Sequence, residues 1–108
     1  AKTSQGNIQA NVLNVIPRQR AGKIVADAGL VNDASGRWAG VDPLSYESTA
    51  IANIHVIGDS QATGQHKAGH IANGEAKICA DAILRLFAGQ PLDPAPQTNS
   101  ACLLYTSD

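Results

Sequence analysis

The chain has 108 residues, 44% of them hydrophobic, 16% charged and 4% aromatic, with eight Lys plus Arg against nine Asp plus Glu. That length supports one small core. A near-balanced charge without a basic run excludes a nucleic-acid binder working through phosphate neutralisation, and no apolar stretch approaches the roughly 20 residues of a spanning helix. Two cysteines make neither a disulfide framework nor a metal set. The opening at Ala1, with no Met and no leader, suggests a piece of something longer.

In chain order, Ile8 to Ile16 (IQANVLNVI) is a β-branched run stopped by Pro17 and predicts a buried strand. Arg18 to Ala28 places Ala21, Ile24, Val25 and Ala28 on one helical face, with Gly29 where a left-handed C-terminal cap belongs and Leu30 able to fold back on the last turn. Asn32 to Gly40 is a polar, glycine-rich connection. Val41 to Ile51 reads as weakly extended, with Pro43 keeping it out of a central strand, and Asn53 as a turn residue. Ile54 to Ile57 (IHVI) is the best strand and runs into Gly58–Asp59. After a polar loop, Lys67 to Phe87 is periodic, with Ala72, Ala76, Cys79, Ile83 and Phe87 on the expected buried face and Gly89 closing the helix. Pro91, Pro94 and Pro96 make the remainder extended. Strands alternating with helices suggest an α/β parallel sheet, but so few strands make an incomplete one.

The strand–Gly–Asp–loop–helix unit carries the chemistry. A strand ending at the carboxyl edge of an open α/β sheet delivers its last residues where ligands bind. Gly58 leaves room for close approach. Asp59 either caps a turn or presents an acceptor to the hydroxyls of a sugar or polyol. The following helix start offers unpaired N–H groups and a partial positive charge, to which Lys67 adds a full one. Gly69 removes a side chain where a flat ring could lie. Lys67 and Gly69 are then either an ordinary solvated helix start or the element that offsets negative charge on a reduced ring.

IHVIGDS followed by HKAGHIANGEAKICADAILRLFAG resembles the closing FAD-binding segment of flavoproteins with two dinucleotide-binding domains. Within that group, VLNVIPRQRAGKIVADAGL, GRWAGVDPLSYEST and IHVIGD resemble the flavoprotein chain of the flavocytochrome c sulfide dehydrogenases, over about residues 8–100. The resemblance implies an α/β fragment of a much longer polypeptide. Residues 1–47 would end the NAD-type domain and return from it, 48–90 would supply the closing strand, loop and helix of the FAD domain, and 91–101 would begin the C-terminal region. It implies FAD as cofactor, with Asp59 on the ribityl chain and Lys67, Ala68 and Gly69 under the pyrimidine side of the flavin. It further implies sulfide or another reduced sulfur compound as electron donor, a cytochrome c subunit as partner and acceptor, and a periplasmic location. A quinone reductase or NADH dehydrogenase of the same architecture, or a small non-catalytic α/β binding module, is the alternative.

The sequence also departs from that family. His66 replaces the proline before the lysine, Trp38-Ala39-Gly40-Val41 stands where the family has Trp-Cys-Pro-Val, and Ala101 stands where a redox cysteine follows Asn99-Ser100. No glycine-rich pyrophosphate loop is present either. No residue is therefore assigned a catalytic role, and the chain alone is expected to show no turnover. The terminal CLLYTSD, residues 102–108, resembles the translation of a sequencing-library adapter, as expected of a metagenomic read, which would remove Cys102 from functional consideration. Cys79 reads as a small core residue and His55 as structural. His66 and His70 lack a third ligand of suitable spacing for a metal. Trp38 is expected at a junction between two lobes, Arg18 and Arg20 face either a flavin-domain interface or solvent, and Tyr46 and Glu47 receive no role.

Overall fold

The structure is a computed structural model that describes residues 1–99. Along them run a strand pair, β1 (Lys2–Thr3) and β2 (Gly6–Asn7), a short helix α1 (Lys23–Asp27), a 3-10 turn (Gly58–Ser60) and a long helix α2 (Gly69–Phe87). This mix of helices with a two-stranded sheet is α/β in the broad sense. The expected parallel sheet is not what the described residues form. β1 and β2 are antiparallel, with Lys2 opposite Asn7 and Thr3 opposite Gly6, and the remaining extended chain meets through isolated bridges, of which Ala39 with Gln61 is parallel.

The strand expected over Ile8–Ile16 does not form. Its apolar side chains face solvent, Val12 at 90% and Ile16 at 80% exposure. A strand needs a neighbour to take its N–H and C=O groups, and among the described residues only Ile8, at the start of the run, is paired, its N–H on the Ala1 carbonyl at 2.8 Å and its carbonyl on the Ala1 amino group at 2.6 Å. The helix expected from Arg18 begins only at Lys23, for two reasons. The Ala21 N–H is committed to the Arg37 carbonyl at 2.8 Å, and Gly22, extended at ψ 154°, is the N-cap residue. The end of α1 is as expected. Gly29 adopts φ +74°, its N–H reaches the Ala26 carbonyl at 3.0 Å, and the Leu30 N–H reaches the Val25 carbonyl at 3.1 Å. These two bonds make a Schellman closure, which turns Leu30 inward to form, with Ala39 and Val56, the small core against which Val25 and Val41 pack.

Asp33 builds the connection to that core. Its carboxylate accepts the backbone N–H groups of Arg37 (2.9 Å) and Trp38 (2.8 Å), as well as the Ser35 hydroxyl. Fully buried Ala39 then ties two segments together: its N–H donates to the Ser60 carbonyl at 2.9 Å, and its carbonyl accepts the Ala62 N–H at 2.7 Å. Val41 and Ser48 form an antiparallel bridge, as do Glu47 and His55. The IHVI segment is therefore extended and pairs antiparallel with residues 46–48, through Val56 N–H to the Tyr46 carbonyl at 2.9 Å. Asn53, at φ +64°, makes the expected turn, and Glu47 gains a role there by accepting the Asn53 N–H at 2.8 Å. His55 is structural, its Nδ1 2.9 Å from the Ser45 carbonyl oxygen.

Helix α2 begins at Gly69 rather than Lys67, because Ala68 is extended at φ −152°. Its buried face is Ile71, Glu75, Cys79 and Ala82, so the expected face is displaced everywhere but at Cys79. Phe87 is 88% exposed. The hydrophobic pattern points to a neighbouring face because a glutamate occupies the centre of the buried stripe, where such a pattern does not look for one. At the C-terminal end Gly89 (φ +66°) closes the helix as expected: the Gly89 N–H meets the Leu86 carbonyl at 3.2 Å and the Gln90 N–H the Arg85 carbonyl at 2.9 Å. The proline-rich segment returns along α2, held by Arg85 Nη1 on the Pro91 carbonyl at 3.3 Å and Gln65 Nε2 on Thr98 Oγ1 at 2.5 Å.

Candidate functional site

Two of the residues singled out in the sequence meet at one hollow. A cleft of about 450 Å³ is lined by Arg20, Gly22, Trp38, Asp59, Ser60 and Lys67, together with Gln19. Its volume lies in the roughly 300–1,000 Å³ range of small-molecule sites. Asp59 comes from the 3-10 turn and Lys67 from the extended lead into α2. Trp38 comes from the loop that Asp33 shapes, and Arg20 and Gly22 from the lead into α1.

The electrostatics of the cleft are local. The Lys67 ammonium donates to the Gln61 carbonyl at 2.7 Å and lies 4.0 Å from the centroid of the Trp38 indole, a cation–π contact. Loss of water around that ammonium pushes the Lys67 pKa down, while the charges of Asp59, Glu75 and Asp33 pull it back up. The Asp59 carboxylate is exposed at the cleft, where arriving donors can reach it, and its charge acts on the Lys67 ammonium. Asp33 is held down at about 2, by the Ser35 hydroxyl first and by the Trp38 N–H next. The loop presenting Trp38 is thus organised around an ionised carboxylate.

Ala68 and Gly69 start α2 and are not among the residues lining the cleft. The helix start carries no side-chain cap, so its first N–H groups are not satisfied by a capping side chain, and a Cβ at Gly69 would meet nothing within 4 Å. Gly58 precedes Asp59 in the 3-10 turn. Its φ of +74° is the left-handed conformation that favours glycine, and the Ala72 methyl would lie in ordinary contact, 3.7 Å from a Cβ there.

Sequence reasoning missed Trp38 as a lining residue and Glu75 altogether. Trp38 is the chain's one tryptophan, in a polar loop where an aromatic has no periodic reason to sit. Glu75 is 1% exposed and accepts the Gly58 N–H at 2.5 Å and the Gln61 Nε2 at 2.9 Å. Its only sequence signal is a spacing of four from both Ile71 and Cys79.

Other candidate chemistry is quieter. Cys79 is buried, and burial pushes its thiol up, away from the reactive thiolate. Among the described residues no group of three or more His, Cys, Asp or Glu could hold a metal ion, and no helix is long and apolar enough to cross a membrane. The family's thiol position at Ala101, Cys102 and the 102–108 segment lie outside the described residues. No protein-family model matches the chain.

Proposed function

We propose that this chain forms one wall of a flavin site in an FAD-dependent oxidoreductase, related in kind to the sulfide dehydrogenase flavoproteins that its motifs resemble. The observation that carries the reading is the shared cleft. An exposed carboxylate, Asp59, and an ammonium, Lys67, line the same hollow next to an aromatic face and just before a helix start without a side-chain cap.

The residues fit part of the cofactor. Asp59 has the acceptor chemistry that ribityl hydroxyls require. Lys67 and the first N–H groups of α2 offer positive potential where the ring gains electron density, and Gly69 puts no side chain in the way. The described residues contain no glycine-rich turn for the pyrophosphate, so this wall serves the ring and ribityl chain alone. Bound FAD supplies the two-electron acceptor chemistry. The protein's part here is to bind, orient and stabilise charge, and no residue of this chain is assigned to bond making or breaking. On this reading the complete enzyme takes electrons from sulfide or a similar reduced sulfur compound and hands them to a cytochrome c subunit, in the periplasm. The isolated chain does not turn over.

Trp38 provides the test. FMN titrated into the chain is expected to quench Trp38 emission saturably. Asp59→Ala should weaken binding roughly tenfold, as for loss of hydrogen bonds to a charged group. Lumichrome, which lacks the ribityl hydroxyls, should be indifferent to that substitution. FMN binding untouched by Asp59→Ala, or no saturable quenching at all, would overturn the reading.

A further inference from the structure

The two poles of the cleft sit on different segments, and neither segment fixes the distance between them. The turn that bears Asp59 is a single 3-10 turn without a buried residue. Lys67 lies in extended chain ahead of α2. One buried group reaches both. From the middle of α2, the Glu75 carboxylate accepts the Gly58 N–H with one oxygen, which fixes the turn at the residue preceding Asp59. With its other oxygen it accepts Nε2 of Gln61, a side chain likewise only 1% exposed. Gln61 Oε1 accepts the Thr63 N–H, and the Gln61 backbone carbonyl is the group that holds the Lys67 ammonium over Trp38. The run from α2 is continuous: Glu75 to Gly58 and so to Asp59; Glu75 to Gln61 and so to Lys67.

We infer that Glu75 is the positioning residue of the cleft, setting the carboxylate of Asp59 and the ammonium of Lys67 in register by clamping the 58–61 turn onto helix α2. A carboxylate this deep is costly unless its lone pairs are used. Here both oxygens are spent on the segment that carries the cleft, and among the described residues neither forms an ion pair. The inference rests on the flavin reading only for what the cleft binds, and its geometry is independent of any ligand.

The polarity of the network makes the test specific. In Glu75→Gln the new amide NH₂ must face either the Gly58 N–H or the NH₂ of Gln61, so one of those two bonds is lost unless Gln61 turns over, which loses the Thr63 N–H instead. In the swapped double variant Gln61→Glu/Glu75→Gln all three bonds return: the amide oxygen at 75 accepts from Gly58, its NH₂ donates to the carboxylate at 61, and that carboxylate accepts from Thr63. The measurement is Trp38 emission and near-ultraviolet circular dichroism of the full chain, with far-ultraviolet circular dichroism reporting the fold and Lys67→Ala as the reference for an indole without its cation. With the fold retained, Glu75→Gln is expected to move the Trp38 signals toward those of Lys67→Ala and to weaken FMN roughly tenfold, and the swap to restore both.

Wild-type Trp38 signals in Glu75→Gln, or a swap that leaves them shifted, overturn the inference. If Glu75→Gln does not fold, the swap decides alone: a folded chain with wild-type Trp38 signals supports the assignment, and any other result overturns it. A wild-type chain that binds no FMN while the Trp38 signals shift and recover as described counts against the flavin reading and leaves the positioning role standing.

Discussion

Residues 8–16 and residues 54–61 look alike as sequence, each an apolar run meeting a turn residue, and they end in opposite states. The first carries more β-branched residues, yet Val12, Val15 and Ile16 are more than half exposed. The second is shorter and interrupted by Gly58, and it is held on both sides. Val56 enters the core, Ser60 accepts from Ala39, and Gly58 and Gln61 are gripped by Glu75. What separates them is where their backbone polar groups go. An apolar run becomes a defined element only when something takes its N–H and C=O groups; the backbone of residues 39–48 and the Glu75 carboxylate do so for the second run, whereas in the first, among the described residues, only Ile8 is paired, with Ala1.

The contrast can be broken from the held side first. Glu75→Leu keeps the bulk of the side chain but leaves the part-buried Gly58 N–H and the buried Gln61 Nε2 without an acceptor. It should cost about 3 kcal/mol of stability, at 1–3 kcal/mol for each stranded group, read as a lower urea midpoint at unchanged slope. A loss under 1 kcal/mol would mean that the turn is held by packing instead.

A pH titration sharpens the comparison at the Trp38 loop. The folded value of Asp33, about 2, lies below the ordinary 3.8, so folding favours its ionised form. The bonds to Ser35, Trp38 and Arg37 contribute fully above about pH 4 and fade as pH falls through about 2. The amide NMR shifts of Arg37 and Trp38 should titrate together with a midpoint near 2, and Asp33→Asn should remove that transition. A midpoint at the ordinary carboxyl value would show that the carboxylate does not organise the loop.

The smallest effect belongs to the exposed run. Val12→Ser, at a side chain 90% exposed, should change stability by no more than about 0.5 kcal/mol. A larger loss would place residues 8–16 against the rest of the chain and erase the contrast.

Local chemistry was legible in the sequence. Gly29 and Gly89 end their helices as their positions suggest, because a left-handed closure needs only a glycine and the preceding turn. Asn53 forms its turn for a similar local reason, and Cys79 is in the core as expected. Of the candidate site, the sequence singled out Asp59 and Lys67, and the structure places both on one cleft. That Trp38, expected at a lobe junction, and Arg20, expected at a flavin-domain interface or in solvent, share this cleft was not legible, since both arrive from segments far along the chain.

Composition and local pattern therefore determined the helix ends, the turn residues and the presence of a charged pair around a glycine–aspartate turn. Tertiary structure alone decided which apolar run is held, which face of α2 is buried and what keeps Asp59 and Lys67 together. The physical reason is range: caps and turns are settled within a few residues, whereas Glu75 meets Gly58 across 17 positions. A buried glutamate among apolar residues leaves no periodic trace of the bonds that justify it.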